Sequence, residues 1–136
     1  MEKPPTIVEL RWDHDLVFSG TSGDINLVLD SGSKAGASPM QALAFAFAAC
    51  MSMDVVHVIT KGRFNIRGMR ASLVGQRASE EPRRFTSITL HFTITGEVPP
   101  DKIERAIELS REKYCSVWNS MRQDIDLNVK IGRAHV

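Results

Sequence analysis

The sequence predicts one α+β domain, residues 1–136, in which a mostly antiparallel sheet surrounds a long central helix. The chain has 136 residues and a mass of 15.1 kDa, a size that suits a single hydrophobic core. Segments in which apolar and polar residues alternate, as they do in half-buried strands, precede and follow one long apolar helical segment. Their order is three strands, a helix, two strands, two helices and a last strand, which is typical of α+β folds.

The first three predicted strands are short. Residues 6–11 alternate apolar and polar side chains, and residues 16–18 and 25–29 are two further apolar segments. Residues 19–24, which lie between them, are rich in glycine and serine and have the composition of a turn. Residues 30–37 have a similar composition, so we expect a loop before the central helix.

The central helix has the clearest start and end signals in the chain. Ser38 can accept a hydrogen bond from the first free amides, Pro39 suits the first helical position, and Gln41 completes a capping box. We expect the helix to run to about Lys61 and to stop at Gly62. Its body is apolar on all sides, so it must be covered from several directions. A second copy of the chain would supply that cover, which predicts a homodimer.

Two paired strands are predicted after this helix. Residues 66–79 form the first, residues 85–95 the second, and residues 80–84 the loop between them. The second strand has one apolar and one polar face. The apolar face consists of Ile88, Leu90, Phe92 and Ile94.

The last part of the chain contains two predicted helices and a strand. A helix begins after Pro99 and ends near Tyr114, and Ser116 is the expected cap of a further short helix. Residues 127–131 alternate between apolar and polar side chains and form the last strand.

Composition argues against several classes of function. Lys and Arg total 17 and Asp and Glu total 16, and a net charge of +1 is not that of a nucleic-acid-binding protein. Two cysteines are too few for a disulfide scaffold. Residues 1–5 contain no apolar signal core, and the longest apolar stretch, residues 42–51, is shorter than the roughly 20 residues of a membrane span. We therefore expect a cytoplasmic protein with no membrane partner.

Cys50, Asp54 and His57 share one face of the central helix, because they are spaced at i, i+4 and i+7. Three interpretations are open. Cys50 can be a small buried apolar residue, and Asp54 and His57 can be a solvated or interface end of the helix. The three can also be metal ligands, but one helix face seldom supplies a full set, so we predict no metal site.

Cys115 lies at the junction between two predicted helices, directly before Ser116. A thiolate near a helix N-terminus is stabilised by the helix dipole, which predicts a lowered pKa for this thiol. The alternative is a cysteine that only packs against Trp118.

Four segments resemble the OsmC/Ohr family. Residues 38–43 read SPMQAL, residues 48–50 read AAC and residues 53–56 read MDVV, and together they are similar to the central helix of that family. Residues 113–117, KYCSV, resemble its second-cysteine motif, KYCPV. The resemblance covers nearly the whole chain. It implies an α+β fold of two intertwined subunits whose sheets wrap around the central helices.

The resemblance also implies an activity and roles for the two cysteines. Ohr and OsmC proteins are thiol-dependent peroxidases that prefer organic hydroperoxides and need no cofactor. Carried over, Cys50 attacks the peroxide and becomes a sulfenic acid, and Cys115 resolves it as a disulfide. Dithiols such as lipoyl groups then reduce the disulfide.

Two departures from the Ohr pattern predict a divergent OsmC-like branch. Met40 stands where Ohr proteins carry a glutamate, followed by the neutral Gln41, and residues 19–24 contain no arginine. The alternative functions are a thiol protein that acts on a small disulfide, and a binding module with an apolar ligand in the cleft of the dimer interface. The residues expected to line that cleft are Met40, Phe45, Phe47, Met51, Met53 and Trp118.

Overall fold

The computed structural model describes residues 3–133 and divides the chain into two compact units, on either side of the boundary between Leu43 and Ala44. The predicted α+β class and element order are confirmed. The elements are β1 (Glu9–His14), β2 (Val17–Ser22), β3 (Ile25–Asp30), α1 (Pro39–Lys61), β4 (Asn65–Arg77), β5 (Phe85–Glu97), α2 (Pro100–Leu109) and β6 (Asp126–Arg133). A π-helical turn (Ser110–Tyr114) and a 3₁₀ turn (Trp118–Ser120) lie between α2 and β6.

The first unit contains a three-stranded antiparallel sheet in the order β1-β2-β3. Trp12 pairs with Phe18, and the chain turns between β1 and β2 at Asp15, which has a positive φ of 46°. Many large apolar side chains of this unit are exposed in the single chain. They include Ile7, Val8, Leu10, Trp12, Leu16, Ile25 and Leu27.

The loop after β3 is organised by one buried carboxylate, that of Asp30. Its oxygens accept hydrogen bonds from the backbone N–H groups of Gly32, Lys34 and Ala35, at 2.8 to 3.1 Å. These bonds, led by the one from Ala35, hold the pKa of Asp30 below its usual value. The loop composition predicted irregular backbone here, and the Asp30 side chain supplies its hydrogen-bond acceptors.

The predicted start and end of α1 are confirmed. The Ser38 N–H donates to Gln41 Oε1 at 2.9 Å, and the Gln41 N–H donates to Ser38 Oγ at 3.1 Å, which is a complete capping box. The helix ends at Lys61, and the N–H of Gly62 donates to the carbonyl of Val58. The left-handed residue that follows is Arg63, with a φ of 67°, and not Gly62.

One face of α1 is buried in the single chain, whereas the sequence led us to expect cover on several sides. The buried residues recur every four positions: Phe47, Met51, Val55 and Ile59. Phe45 and Met53 are 72% and 69% exposed. By length and composition α1 could also span a membrane, with a mean hydropathy of 1.9 over 18 residues. Apolar core helices meet the same criterion, so it does not identify a membrane span.

The second unit contains a three-stranded sheet in the order β4-β5-β6. The β4–β5 pair is antiparallel and the β5–β6 pair is parallel, so this sheet is mixed. Leu90 of β5 pairs with Leu73 on one side and Val129 on the other. The predicted apolar face of β5 is confirmed, since its four residues, Ile88, Leu90, Phe92 and Ile94, are almost completely buried.

The segment that carries Cys115 differs from the prediction in how its short helix begins. Ser116 is not the cap of the 3₁₀ turn. Cys115 Sγ accepts a 3.3 Å hydrogen bond from the N–H of Trp118. Cys115 has an extended backbone (φ −73°, ψ 99°) and lies three residues before Trp118, the first residue of the 3₁₀ turn, whose N-cap is Val117.

Candidate functional site

Three reactive side chains converge in the second unit. Three atoms lie within 4.8 Å of one another: the Sγ atoms of Cys50 and Cys115 and one carboxylate oxygen of Asp54. Cys50 is half-buried and Cys115 is completely buried, and both are free thiols. The structure therefore brings together the two cysteines that the sequence analysis selected. Their roles in a reaction remain a prediction.

Cys50 and Asp54 lie one turn apart on α1 and so point the same way. Two contacts then join α1 to the segments that follow α2. The ring of Phe47 stacks on that of Trp118, with centroids 5.3 Å apart, and so joins α1 to the Cys115 segment. The hydroxyl of Ser110 donates a 2.8 Å hydrogen bond to Asp54 Oδ2.

The electrostatic environment of Cys115 is opposite to the one predicted. Burial, together with the neighbouring Cys50 and Asp54, raises the pKa of this thiol to about 11. The hydrogen bond from the Trp118 N–H acts in the opposite direction and is outweighed. The expected stabilisation by a helix dipole was wrong, because the helix that follows has only three residues and the sulfur is removed from water.

The cluster contains two thiols and a carboxylate, which are groups that can bind a soft divalent cation such as zinc. A closed structural zinc site needs four protein ligands, and this group of described residues supplies three. His57, the third member of the Cys/Asp/His set considered from the sequence, is exposed and lies outside the group. We therefore assign no metal to these residues.

A cavity of about 580 Å³ borders the cluster at Asp54. Its wall combines apolar and charged side chains: Asp54, His57, Val58, Lys61, Gly62, Leu109 and Tyr114. Three of the residues expected to line an apolar cleft, Phe47, Met51 and Trp118, are instead part of the buried core. Phe47 and Met51 were placed wrongly because an apolar helix does not reveal which of its faces meets the core, and Trp118 because its ring stacks on that of Phe47.

Ser110 is a site residue that sequence reasoning missed as a partner of Asp54. It lies 56 positions from Asp54, within the predicted helix that begins after Pro99 and ends near Tyr114. It is completely buried although it is polar, and the hydrogen bond to Asp54 satisfies its hydroxyl. A polar residue at an inward helical position was the one available signal.

A family model described as OsmC-like protein matches residues 31–130, which is most of the chain and includes both cysteines. The chain belongs to the OsmC-like family. The resemblance noted from the SPMQAL and KYCSV segments is therefore confirmed.

Several proteins are similar to this OsmC-like chain. It is 40% identical over 122 residues to protein YhfA of Escherichia coli strain K12, and the match covers 87% of this chain and 90% of YhfA. A hypothetical protein from Aquifex aeolicus VF5 has a similar structure (TM-score 0.89, 24% identity, 97% of this chain and 98% of that one). An organic hydroperoxide resistance protein OsmC from Legionella pneumophila, described as a predicted redox protein, also has a similar structure (TM-score 0.72, 17% identity, 97% of this chain and 99% of that one). These two structures support the fold.

Proposed function

We propose that this chain is a thiol-dependent peroxidase that reduces organic hydroperoxides through Cys50 and Cys115. The observation that carries the proposal is the proximity of the two sulfur atoms, which lie within 4.8 Å of each other. A disulfide brings its two sulfur atoms to about 2 Å, a change that side-chain rotation and small backbone shifts can provide. Membership of the OsmC-like family and the hydroperoxide-resistance description of the Legionella structure support the same activity.

The first step is an attack of the Cys50 thiolate on the terminal peroxide oxygen. The S–O bond forms as the O–O bond breaks, and the alcohol leaves after its oxygen takes a proton. Cys50 is thereby oxidised to the sulfenic acid and the hydroperoxide is reduced. Cys50 suits this role because it is half-buried, whereas the Cys115 sulfur is fully covered.

The second step joins the two cysteines. Cys115 attacks the sulfenic sulfur of Cys50, the S–S bond forms, and the hydroxyl leaves as water. A dithiol then reduces the disulfide by thiol–disulfide exchange and restores both thiols. A lipoyl-type dithiol is the reductant that the family resemblance suggests, and a reducing compartment such as the cytoplasm would keep it reduced.

We also propose that the chain acts as a homodimer. On α1, Phe45 and Met53 are largely exposed in the single chain, and Val56 is partly so. The sheet of the first unit also presents large apolar side chains, among them Trp12 and Ile25. Large apolar side chains exposed in this number in each unit are typical of surfaces that are covered in the assembled protein.

A second candidate function is the binding of a partly apolar ligand. The cavity of about 580 Å³ beside Asp54 favours it, because Val58, Leu109 and Tyr114 give its wall an apolar part. In this case the thiols would take no part in turnover.

Consumption of cumene hydroperoxide with dihydrolipoamide as the reductant distinguishes the two candidates. The peroxidase proposal expects catalytic consumption over many turnovers and none in Cys50→Ser. Binding without consumption would support the second candidate. Consumption that is unchanged in Cys50→Ser would contradict the proposed role of this residue.

A further inference from the structure

Asp54 is a carboxylate held beside both thiols by a dedicated hydrogen bond. It lies one turn after Cys50 on α1, and one of its oxygens is within 4.8 Å of both sulfur atoms. The buried hydroxyl of Ser110 donates to Oδ2 at 2.8 Å and so fixes the orientation of the carboxylate. Neither the roles that the family resemblance implies nor the steps of the proposed function use this carboxylate.

The resolving step needs a proton acceptor. Cys115 is completely buried and its thiol keeps its proton at neutral pH, since its pKa is raised to about 11. A protonated thiol is a poor nucleophile. The leaving hydroxyl of the sulfenic acid needs a proton at the same time. The titratable groups that influence Cys115 are Cys50 and Asp54, and Cys50 is the electrophile in this step. Asp54 is therefore the available carrier within the cluster.

We propose that Asp54 is the general base and acid of the resolving step, taking the proton from Cys115 and delivering it to the departing hydroxyl. This inference rests on the proposed two-cysteine function. The Cys115 S–H bond breaks, the Cys50–Cys115 S–S bond forms, and the S–O bond of the sulfenic acid breaks. The hydroxyl leaves as water, and the carboxylate ends the step unprotonated.

The geometry gives Asp54 two further properties that this role requires. Asp54 is half-buried and borders the cavity of about 580 Å³, so its carboxylate is close to solvent while the Cys115 sulfur is not. Ser110 is the positioning residue, because its hydroxyl binds Oδ2 without being able to accept a proton in the reaction. His57 borders the same cavity but is outside the cluster.

The test follows the two chemical steps separately in Asp54→Asn, which keeps the shape of the side chain and removes its basicity. One equivalent of cumene hydroperoxide is mixed with reduced protein. Dimedone trapping measures the sulfenic acid, and intact mass after acid quench and alkylation measures the disulfide. We expect sulfenic acid to form as in the wild type, and disulfide formation to slow by roughly 10²-fold, the usual size of a general-base effect. Asp101→Asn, which neutralises an exposed carboxylate on α2, is the matched control and should leave both steps unchanged.

A pH series separates proton transfer from a merely structural role. In Asp54→Asn the rate of disulfide formation should rise with pH as Cys115 ionises unaided, and approach the wild-type rate at alkaline pH. A structural displacement of Cys115 would leave the defect at every pH. Asp54→Glu should recover part of the rate of disulfide formation. Ser110→Ala removes the hydrogen bond to the same carboxylate and should slow disulfide formation severalfold. It serves as the test if Asp54→Asn does not fold.

Several results would overturn the proposal. One is disulfide formation in Asp54→Asn that is unchanged or faster, as expected if the carboxylate only suppressed the Cys115 thiolate. Another is a loss of sulfenic acid formation in a folded Asp54→Asn, which would place Asp54 in the first step. Wild-type protein that forms no sulfenic acid or no disulfide would instead refute the proposed function itself.

Discussion

The backbone N–H of Trp118 donates a 3.3 Å hydrogen bond to Cys115 Sγ. Trp118 is the first residue of the 3₁₀ turn, so the sulfur accepts a hydrogen bond from the first N–H of that turn. Such a bond favours the thiolate, but complete burial of the side chain outweighs it and raises the pKa to about 11. Cys115 is consequently a neutral thiol at physiological pH, and the more accessible Cys50 is the cysteine suited to attack a substrate.

We predict that Cys115 makes the stability of the fold depend on pH in the alkaline range. Its pKa is about 11 in the folded chain against an ordinary 9.0, so the unfolded chain loses the proton first as the pH rises. The contribution of the protonated Cys115 thiol to the free energy of unfolding is complete below pH 9.0 and is lost as the pH rises towards 11. Between about pH 8 and about pH 10, reduced wild type should lose on the order of 1 kcal/mol more than Cys115→Ala. Denaturant unfolding at the two pH values measures this loss of stability. An equal loss in the wild type and in Cys115→Ala would contradict the raised pKa of Cys115.

We predict that the two cysteines are functionally unequal. Cys50→Ser should abolish the reaction with hydroperoxide, including a single turnover, because no sulfenic acid can form. Cys115→Ser should consume about one equivalent of peroxide to form the sulfenic acid at Cys50, and excess peroxide should then oxidise this unresolved sulfenic acid to sulfinic acid. Intact mass after titration with cumene hydroperoxide distinguishes the two variants. Identical behaviour of the variants would refute the division of roles.

We predict that the chain is an obligate homodimer. Sedimentation equilibrium at micromolar concentration should give twice the chain mass of 15.1 kDa. Met53→Glu places a charge on the exposed apolar side of α1, where Met53 is 69% exposed, and should give a monomer or a poorly folded protein. Glu104→Lys, a charge reversal at an exposed position of α2, should leave the dimer intact. A well-folded wild-type monomer at that concentration is the contradicting result.

We predict that Asp54 and His57 hold no structural metal. The cluster offers three donors, two of which the proposed reaction uses as thiols, and His57 lies outside it. Elemental analysis of protein purified without a metal-affinity tag should find no stoichiometric zinc after dialysis. Zinc that remains bound, and is lost in Asp54→Ala, would make the metal interpretation the better one.

The elements with strong local signals could be predicted from the sequence. The start of α1 follows from Ser38 and Gln41, which cap it locally. Its end at Lys61 agrees with the signal at Gly62, although the left-handed residue there is Arg63. The buried face of β5 follows from strict alternation. The parallel β5–β6 pairing was not expected, because strand direction in a sheet depends on the path of the chain between strands.

Only part of the site could be predicted, because local sequence signals do not show which distant segments meet. Cys50 and Cys115 were found because both lie in segments that resemble a family motif. The hydrogen bond between Ser110 and Asp54 joins distant segments, and no local pattern indicates it. The pKa of Cys115 was predicted in the wrong direction, because sequence shows nearness to a helix start but not the depth of burial.

The most direct test of the account is disulfide formation between Cys50 and Cys115. Fully reduced wild-type protein is treated with one equivalent of cumene hydroperoxide and analysed by intact mass and peptide mapping without reduction. The account predicts a loss of two hydrogen atoms in mass and a single cross-linked peptide that contains Cys50 and Cys115. Hydroperoxide left unconsumed with both thiols still reduced, or consumed without this cross-link, would contradict it.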